Sequence, residues 1–237
     1  MNRHVLYKHL GTLEYEQCWK YQEQLMQKII DIKLANRNSL SPQPTPNYLL
    51  SVEHPHVYTL GKSGKENHLL VSEDFLKKIN ASYYKVNRGG DITYHGYGQL
   101  VVYPILDLEN FFTDIHKYVR FLEEIIIRTL NEYGIKAERS SGETGVWLDT
   151  HLPEKARKIC AIGVRSSRWV TMHGLAFNIN TDINYFNYII PCGIANKKVT
   201  SLHLELGYKV DEMEVLSKIL KHFESVFECH LIKNTDF

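Results

Sequence analysis

The sequence predicts an α+β fold, and three observations carry that prediction. Three long segments repeat apolar residues close to a 3.6-residue period. Short apolar runs of strand length lie between them, and the two kinds follow no regular β-α-β alternation. The 237 residues, 43% hydrophobic and 23% charged, suffice to bury a substantial core, so residues 1–237 read as a single domain.

Taken in order, residues 14 to 35 place Tyr15, Trp19, Leu25, Met26, Ile29 and Ile30 on one stripe with charged residues between them, which predicts an amphipathic helix with a core-facing stripe. The stretch RNSLSPQPTPN follows, where Pro42, Pro44 and Pro46 remove backbone donors and restrict their neighbours, so it reads as an extended surface loop. YLLSVE (48–53) reads as a buried strand, and YTLG (58–61) as another after a turn at HPH. A second helix is expected from Asp114 to Tyr133, with Ile115, Tyr118, Leu122, Ile125, Ile126 and Leu130 on one face and Gly134 to stop it. Four short β-type runs come next, IKAER, GVWL, KICAIGVR and MHGLAFNIN. The turn-prone SSRW between the last two suggests a hairpin. A helix over Asp211 to Glu228 closes the chain, which has no internal repeat.

Several function classes are disfavoured by composition. Lys plus Arg number 28 against 27 for Asp plus Glu, so no global basic field gathers nucleic acid. The opening MNRHVLYKHLGT shows neither a secretory nor a transit pattern, and no run of eighteen apolar residues occurs, so a cytoplasmic protein with no membrane partner is expected. Cys18, Cys160, Cys192 and Cys229 lie far apart with no C-x-x-C pair, which argues against a zinc ribbon and for free thiols.

Three segments carry chemistry, each open to two readings. RGGDITYHGYGQLVVYPI (88–105) gathers Gly89, Gly90, Gly96 and Gly98 around Arg88, Thr93, Tyr94, His95 and Gln99. Either its backbone approaches a ligand closely, with the polar side chains donating to it, or it is a glycine-rich hairpin with a satisfied histidine. KICAIGVRSSRWVTMHGLAFNIN (158–180) sets Lys158 at the head of an apolar strand and His173 beside Gly174 on the next. That lysine either works in a site or snorkels to the surface. NYIIPCGI (187–194) holds Cys192 between Pro191 and Gly193, either a sulfur presented on a tight turn or an inert core thiol.

Taken together, TLGKSGKENHLL, RGGDITYHGYGQLVVYPI, the run from GVW through KICAIGVR and HGLAFNIN, and IIPCGI followed by VTSL resemble the lipoyl(octanoyl) transferase family, in the family's order from about residue 58 to residue 202. Tyr97 departs from the pattern, standing where many members have proline, but no reactive group is lost. The resemblance implies a biotin/lipoate protein ligase-like catalytic domain, a central mixed β-sheet flanked by α-helices. It also implies transfer of octanoyl from octanoyl-acyl carrier protein to a lysine of lipoyl domains, in 2-oxoacid dehydrogenase E2 subunits and the glycine cleavage H protein. By the same likeness Cys192 carries the acyl group as a thioester, while Lys158 lowers the thiol's pKa and shuttles protons. Arg88, Gly89, Gly90, Asp91, Ile92, Thr93, Tyr94 and His95 would line the pocket with Ala161, Ile162, Gly163, Gly174, Leu175 and Ala176. His173 would be a supporting donor. No ATP and no metal is expected, because one thioester is exchanged for another. Lys62, Lys65, Lys85 or Arg88 would meet the acidic carrier.

Rival readings are an ATP-dependent lipoate or biotin ligase and an amidotransferase acting between lipoyl-bearing proteins. Outside acyl chemistry stand a binding module without catalysis and a metal protein using His54, His56, His95, His173 and Cys192. GKSGK at 61–65 is not a phosphate loop, since G-x-x-x-x-G-K-[ST] needs glycine where His56 stands. The scattered histidines match no zinc spacing. A cysteine in PCG, which an adenylating ligase does not need, favours acyl transfer.

Overall fold

The periodic segments form the long helices. The computed structural model describes residues 1–190 and 198–233. In chain order it contains β1 (His4–Thr12), α1 (Tyr15–Asn36), β2 (Tyr48–Glu53), β3 (Val57–Leu60), α2 (Glu73–Lys78), β4 (Ser82–Lys85), β5 (Ile92–His95) and β6 (Gln99–Ile105). These are followed by α3 (Ile115–Asn131), β7 (Glu138–Ser140), β8 (Glu143–Leu148), β9 (Arg157–Ser167), β10 (Val170–Asn178), β11 (Lys198–Val199), α4 (Leu202–Leu206), α5 (Glu212–Phe227) and β12 (His230–Lys233). Cys192, the predicted nucleophile, lies outside the described residues.

The large sheet runs β12-β1-β2-β6-β10-β9-β8-β7, with β11 beside β9. It is mixed: β1 is parallel to both β2 and β12, and β11 to β9, whereas the pairs from β2 to β7 along the path are antiparallel. Helices cover both faces. On one, Leu122, Ile125 and Ile126 of α3 and Ile219 and Phe223 of α5 pack on Val102, Ile159 and Phe177. On the other, Leu25, Met26 and Ile29 of α1 pack on Leu50, Val101 and Tyr103. Each helix stripe is thus the counterpart of one sheet face, which is why periodicity alone located it. Asp114 and Asp211 cap α3 and α5 through side-chain bonds to Lys117 N and Met213 N, and Gly134, at φ +73°, follows the end of α3. No described helix is long and apolar enough to cross a membrane.

A second sheet, β4-β3-β5, covers one end of the first. Its position corrects the hairpin reading of residues 88–105. β5 pairs with β3, while β6 pairs with β2 and β10, so the chain steps from one sheet to the other at residues 96–98. Gly98 makes that step possible: its φ is +76°, and a β-carbon there would stand 2.6 Å from the Asn180 carbonyl carbon. The hairpin expected at SSRW is present, with Arg168 and Trp169 both at positive φ between β9 and β10. Of IKAER, only Glu138 and Arg139 enter a strand.

Candidate active site

Register across the sheet sets up the site. In antiparallel strands, paired residues point to the same face. Ala161 on β9 pairs with Ala176 on β10, Ala176 pairs with Val101 on β6, and Gly163 pairs with Gly174 in the next row. These small residues floor a cavity of about 470 Å³ between the two sheets and the start of α1. Arg88, Gly90, Asp91, Ile92, Thr93 and His95 line it from the glycine-rich segment, joined by Lys158, Ile162, His173 and Leu175.

Two predicted residues do not line it. Strand alternation turns the Tyr94 side chain away from the cavity, where its ring stacks on Tyr185 and its hydroxyl lies 2.7 Å from His56 Nδ1. Gly89 serves as a joint, donating its N–H to Val164 O on β9 at 2.9 Å. Gln99, one of the polar residues of the glycine-rich segment, also lines the cavity, and so do Tyr15, Val101, Tyr103 and Asn178, which nothing in the sequence marks for the site. Tyr15 reads in sequence as one member of a core stripe, and only its place at the first turn of α1 brings it over the sheet.

Arg88 is buried, its guanidinium donating to Thr59 O (2.7 Å), Thr59 Oγ1 (2.9 Å) and Gly89 O (3.0 Å). A β-carbon on Gly61 would stand 2.7 Å from its Nη1, and one on Gly163 would stand 3.0 Å from its Cδ, so both glycines make room for this side chain. That burial corrects the expectation that Arg88 meets a carrier protein at the surface. Lys85 is exposed but paired with Glu66 at 2.5 Å. Lys62 and Lys65 are exposed on either side of Ser63, which lines the cavity.

At the other side of the floor, Lys158 extends from β9 across β8. Its Nζ sits 4.6 Å from the centroid of the Trp147 ring, a cation–π contact. Gly145 lets it lie there: its φ is +121°, and a β-carbon would stand 3.4 Å from Lys158 Cε and 2.6 Å from Cys160 O. Polar bonds tie this point to the glycine-rich segment. Gln99 Nε2 donates to Tyr94 O and to Asn178 Oδ1, Asn178 Nδ2 donates to Thr200 O, and Thr200 N donates to Lys158 O. The Gln99 carbonyl is left to accept from His95 Nδ1 at 2.8 Å, which fixes that histidine's tautomer.

Burial keeps the histidines of this region neutral. Desolvation is the largest cause in each case, holding His54 at about 4 and His173 at about 3, and pressing His95 well below its ordinary value. Unfolded, all three titrate near 6.5, so between pH 6.5 and about 4 the unfolded chain binds more protons than the native one and stability falls with pH. For His54 and His173 together the loss between pH 7 and pH 5 is expected to be about 3 to 4 kcal/mol, read as a lower urea midpoint. The carboxylates with lowered values, such as Glu138 and Asp149, lose their contribution only at lower pH. An unchanged midpoint over pH 7 to 5 would contradict the assignment.

No group of three or more His, Cys, Asp or Glu among the described residues is arranged to hold a metal ion. His54 bonds to Leu13 O and Tyr103, and His56 to Tyr94 and Tyr185. The three described cysteines are free and buried, and burial pushes the Cys18 and Cys229 thiols up to about 12 and Cys160 higher still, so they are poor thiolates.

Known proteins resemble this chain. A model of the lipoyl protein ligase A/B catalytic domain matches residues 14–224. An octanoyltransferase of Flavobacterium psychrophilum is 62% identical over 233 residues, covering 98% of this chain and 100% of its own. One from Christiangramia forsetii is 60% identical over 232 residues, covering 98% and 99%. The chain belongs to the octanoyltransferase family. It is accordingly an acyltransferase, and the sequence resemblance to lipoyl(octanoyl) transferases is borne out. The octanoyltransferase fold is shared with a bipartite lipoate protein ligase from Thermoplasma acidophilum, at a TM-score of 0.68 and 17% identity over 100% of this chain and 87% of that one. The expected biotin/lipoate ligase-like architecture, a mixed sheet flanked by helices, is therefore present.

Proposed function

We propose that this octanoyltransferase moves octanoyl from octanoyl-acyl carrier protein to one lysine of a lipoyl domain, through a thioester on Cys192. The observation that carries the reading is the cavity: a floor of small apolar residues leads to Lys158, held on an aromatic face. The floor suits a saturated chain, and the lysine suits proton transfer at the chain's reactive end.

In the first half-reaction, the Cys192 thiolate attacks the carbonyl carbon of the donor thioester. The carbon–sulfur bond to pantetheine breaks as the new one forms, and Lys158 gives its proton to the departing thiolate. In the second, the acceptor's lysine ε-amine attacks the Cys192 thioester. Neutral Lys158 takes the proton that the amine loses, an amide forms, and the cysteine leaves as thiolate. Both donor and intermediate are already activated, so neither ATP nor a metal enters the balance. The acceptors proposed are lipoyl domains of 2-oxoacid dehydrogenase E2 subunits and the glycine cleavage H protein, with the reaction in the cytoplasm. Lys62 and Lys65, beside the cavity, would face the carrier.

The test is the intact mass of the purified chain after mixing with octanoyl-acyl carrier protein in the absence of ATP. A hydroxylamine-labile octanoyl adduct is expected on the wild type and none on Cys192→Ala. Octanoylation of a lipoyl domain only when octanoate and ATP are both supplied would replace the thioester reading with the ligase one.

A further inference from the structure

The residues that floor the cavity form a row running across the strands. Ala161, Ala176 and Val101 follow one another from β9 to β10 to β6, and all three line the cavity. Neighbouring strands lie about 4.8 Å apart, so the row is roughly 10 Å long. An octanoyl chain has seven carbon–carbon bonds of about 1.5 Å in zigzag and spans about 9 Å from carbonyl carbon to methyl. The match places a carbonyl on the β9 side, where Lys158 stands, and a methyl over β6.

An aromatic wall stands over β6. Tyr15, only 2% exposed, stacks on His95 with ring centroids 5.8 Å apart and meets His54 edge-on at 5.2 Å. His54 follows β2, the strand beyond β6, and its ring donates from Nδ1 to Leu13 O. Its Nε2 therefore accepts the Tyr103 hydroxyl at 2.9 Å. Val57 and Val86 pack behind Tyr15. The ring is thus held on several sides, at the end of the row opposite Lys158.

We propose that Tyr15 is the end-stop that sets acyl chain length, a specificity-determining residue at the far end of the octanoyl slot. The inference rests on the octanoyl-transfer reading above. A chain two or four carbons longer must displace a ring that is packed against a neutral histidine and two valines. A shorter chain leaves part of the apolar row uncovered, at a cost of about fourfold in rate ratio per missing methylene.

The experiment compares kcat/KM for hexanoyl, octanoyl, decanoyl and dodecanoyl thioesters of acyl carrier protein in wild type, Tyr15→Phe, Tyr15→Leu and Tyr15→Ala. Each variant is scored by ratios among chain lengths, so a general loss of active enzyme cancels. Wild type is expected to use the dodecanoyl donor at least tenfold less well than octanoyl. Tyr15→Phe keeps that order because the ring remains, and Tyr15→Ala or Tyr15→Leu raises the dodecanoyl-to-octanoyl ratio at least tenfold. Should neither of those two fold, the wild-type profile decides: equal use of octanoyl and dodecanoyl overturns the proposal. An unchanged ratio in an active Tyr15→Ala or Tyr15→Leu overturns it as well. If wild type uses no thioester of any length, the transfer reading fails. The stop is then tested separately by the melting shift that free C6 to C12 acids produce in wild type, where no drop beyond C8 overturns it.

Discussion

Lys158→Met is expected to lower kcat for octanoyl transfer by about a thousandfold while leaving the fold intact. Methionine keeps an unbranched chain to lie along Gly145 and over Trp147, but it removes the ammonium that sits 4.6 Å above that ring. Positioned proton transfer contributes about 10² to 10⁴ in rate, and this lysine serves both half-reactions of the proposed mechanism. Lys158→Arg separates charge from proton transfer, because a guanidinium stays protonated at every working pH. If charge alone supports the thiolate, Arg restores acylation of Cys192. If proton delivery and uptake matter, Arg remains slow, above all in the second half-reaction, where a neutral base is required. Single-turnover measurement of the two half-reactions tells these apart. Near wild-type turnover in Lys158→Met would remove the residue from the mechanism.

The limits of the sequence reading follow from what each signal measures. The stripes of α1, α3 and α5 repeat over four or more turns and each meets a sheet face, so local pattern and tertiary burial agree. β1 is not legible in the sequence, although Val5 and Tyr7 alternate inward, because His4, Lys8 and His9 flank so short an apolar run and its partners β2 and β12 lie far along the chain. The step between sheets at Gly98 was not foreseen either. Residues 92–105 look like one hairpin when pairing partners are unknown, and β3, β2 and β10, which decide the matter, are separate segments. At the site, the motif residues Arg88, His95, Lys158, Ala161 and Ala176 do converge on one cavity. Tyr15 reads as core, since periodicity records only that a side chain faces inward, not whether it meets a neighbour or a cavity.

Gly174→Ala is expected to cost about 3 kcal/mol or more of stability, far beyond an ordinary glycine replacement. The family resemblance places this glycine in the lining of the acyl pocket, yet its added β-carbon would meet the sheet itself, standing 2.1 Å from Val102 O and 2.8 Å from Pro104 Cδ on β6. A backbone oxygen cannot swing aside as a side chain can, so β10 and β6 must part at the centre of the sheet. Their pairing from Leu175–Val102 to Asn178–Gln99 sets the spacing of the Ala176–Val101 floor, so the same substitution should also weaken acyl transfer. Gly207→Ala supplies the contrast. That residue ends α4 at φ +81° with nothing within 4 Å of an added β-carbon, and alanine there bears only the left-handed backbone cost of about 1 to 2 kcal/mol. Urea midpoints of the two variants, measured together, separate clash from strain. Gly174 has no positive φ, so a loss no larger than that of Gly207→Ala would mean that β6 gives way to the added methyl and that close approach does not fix glycine at 174.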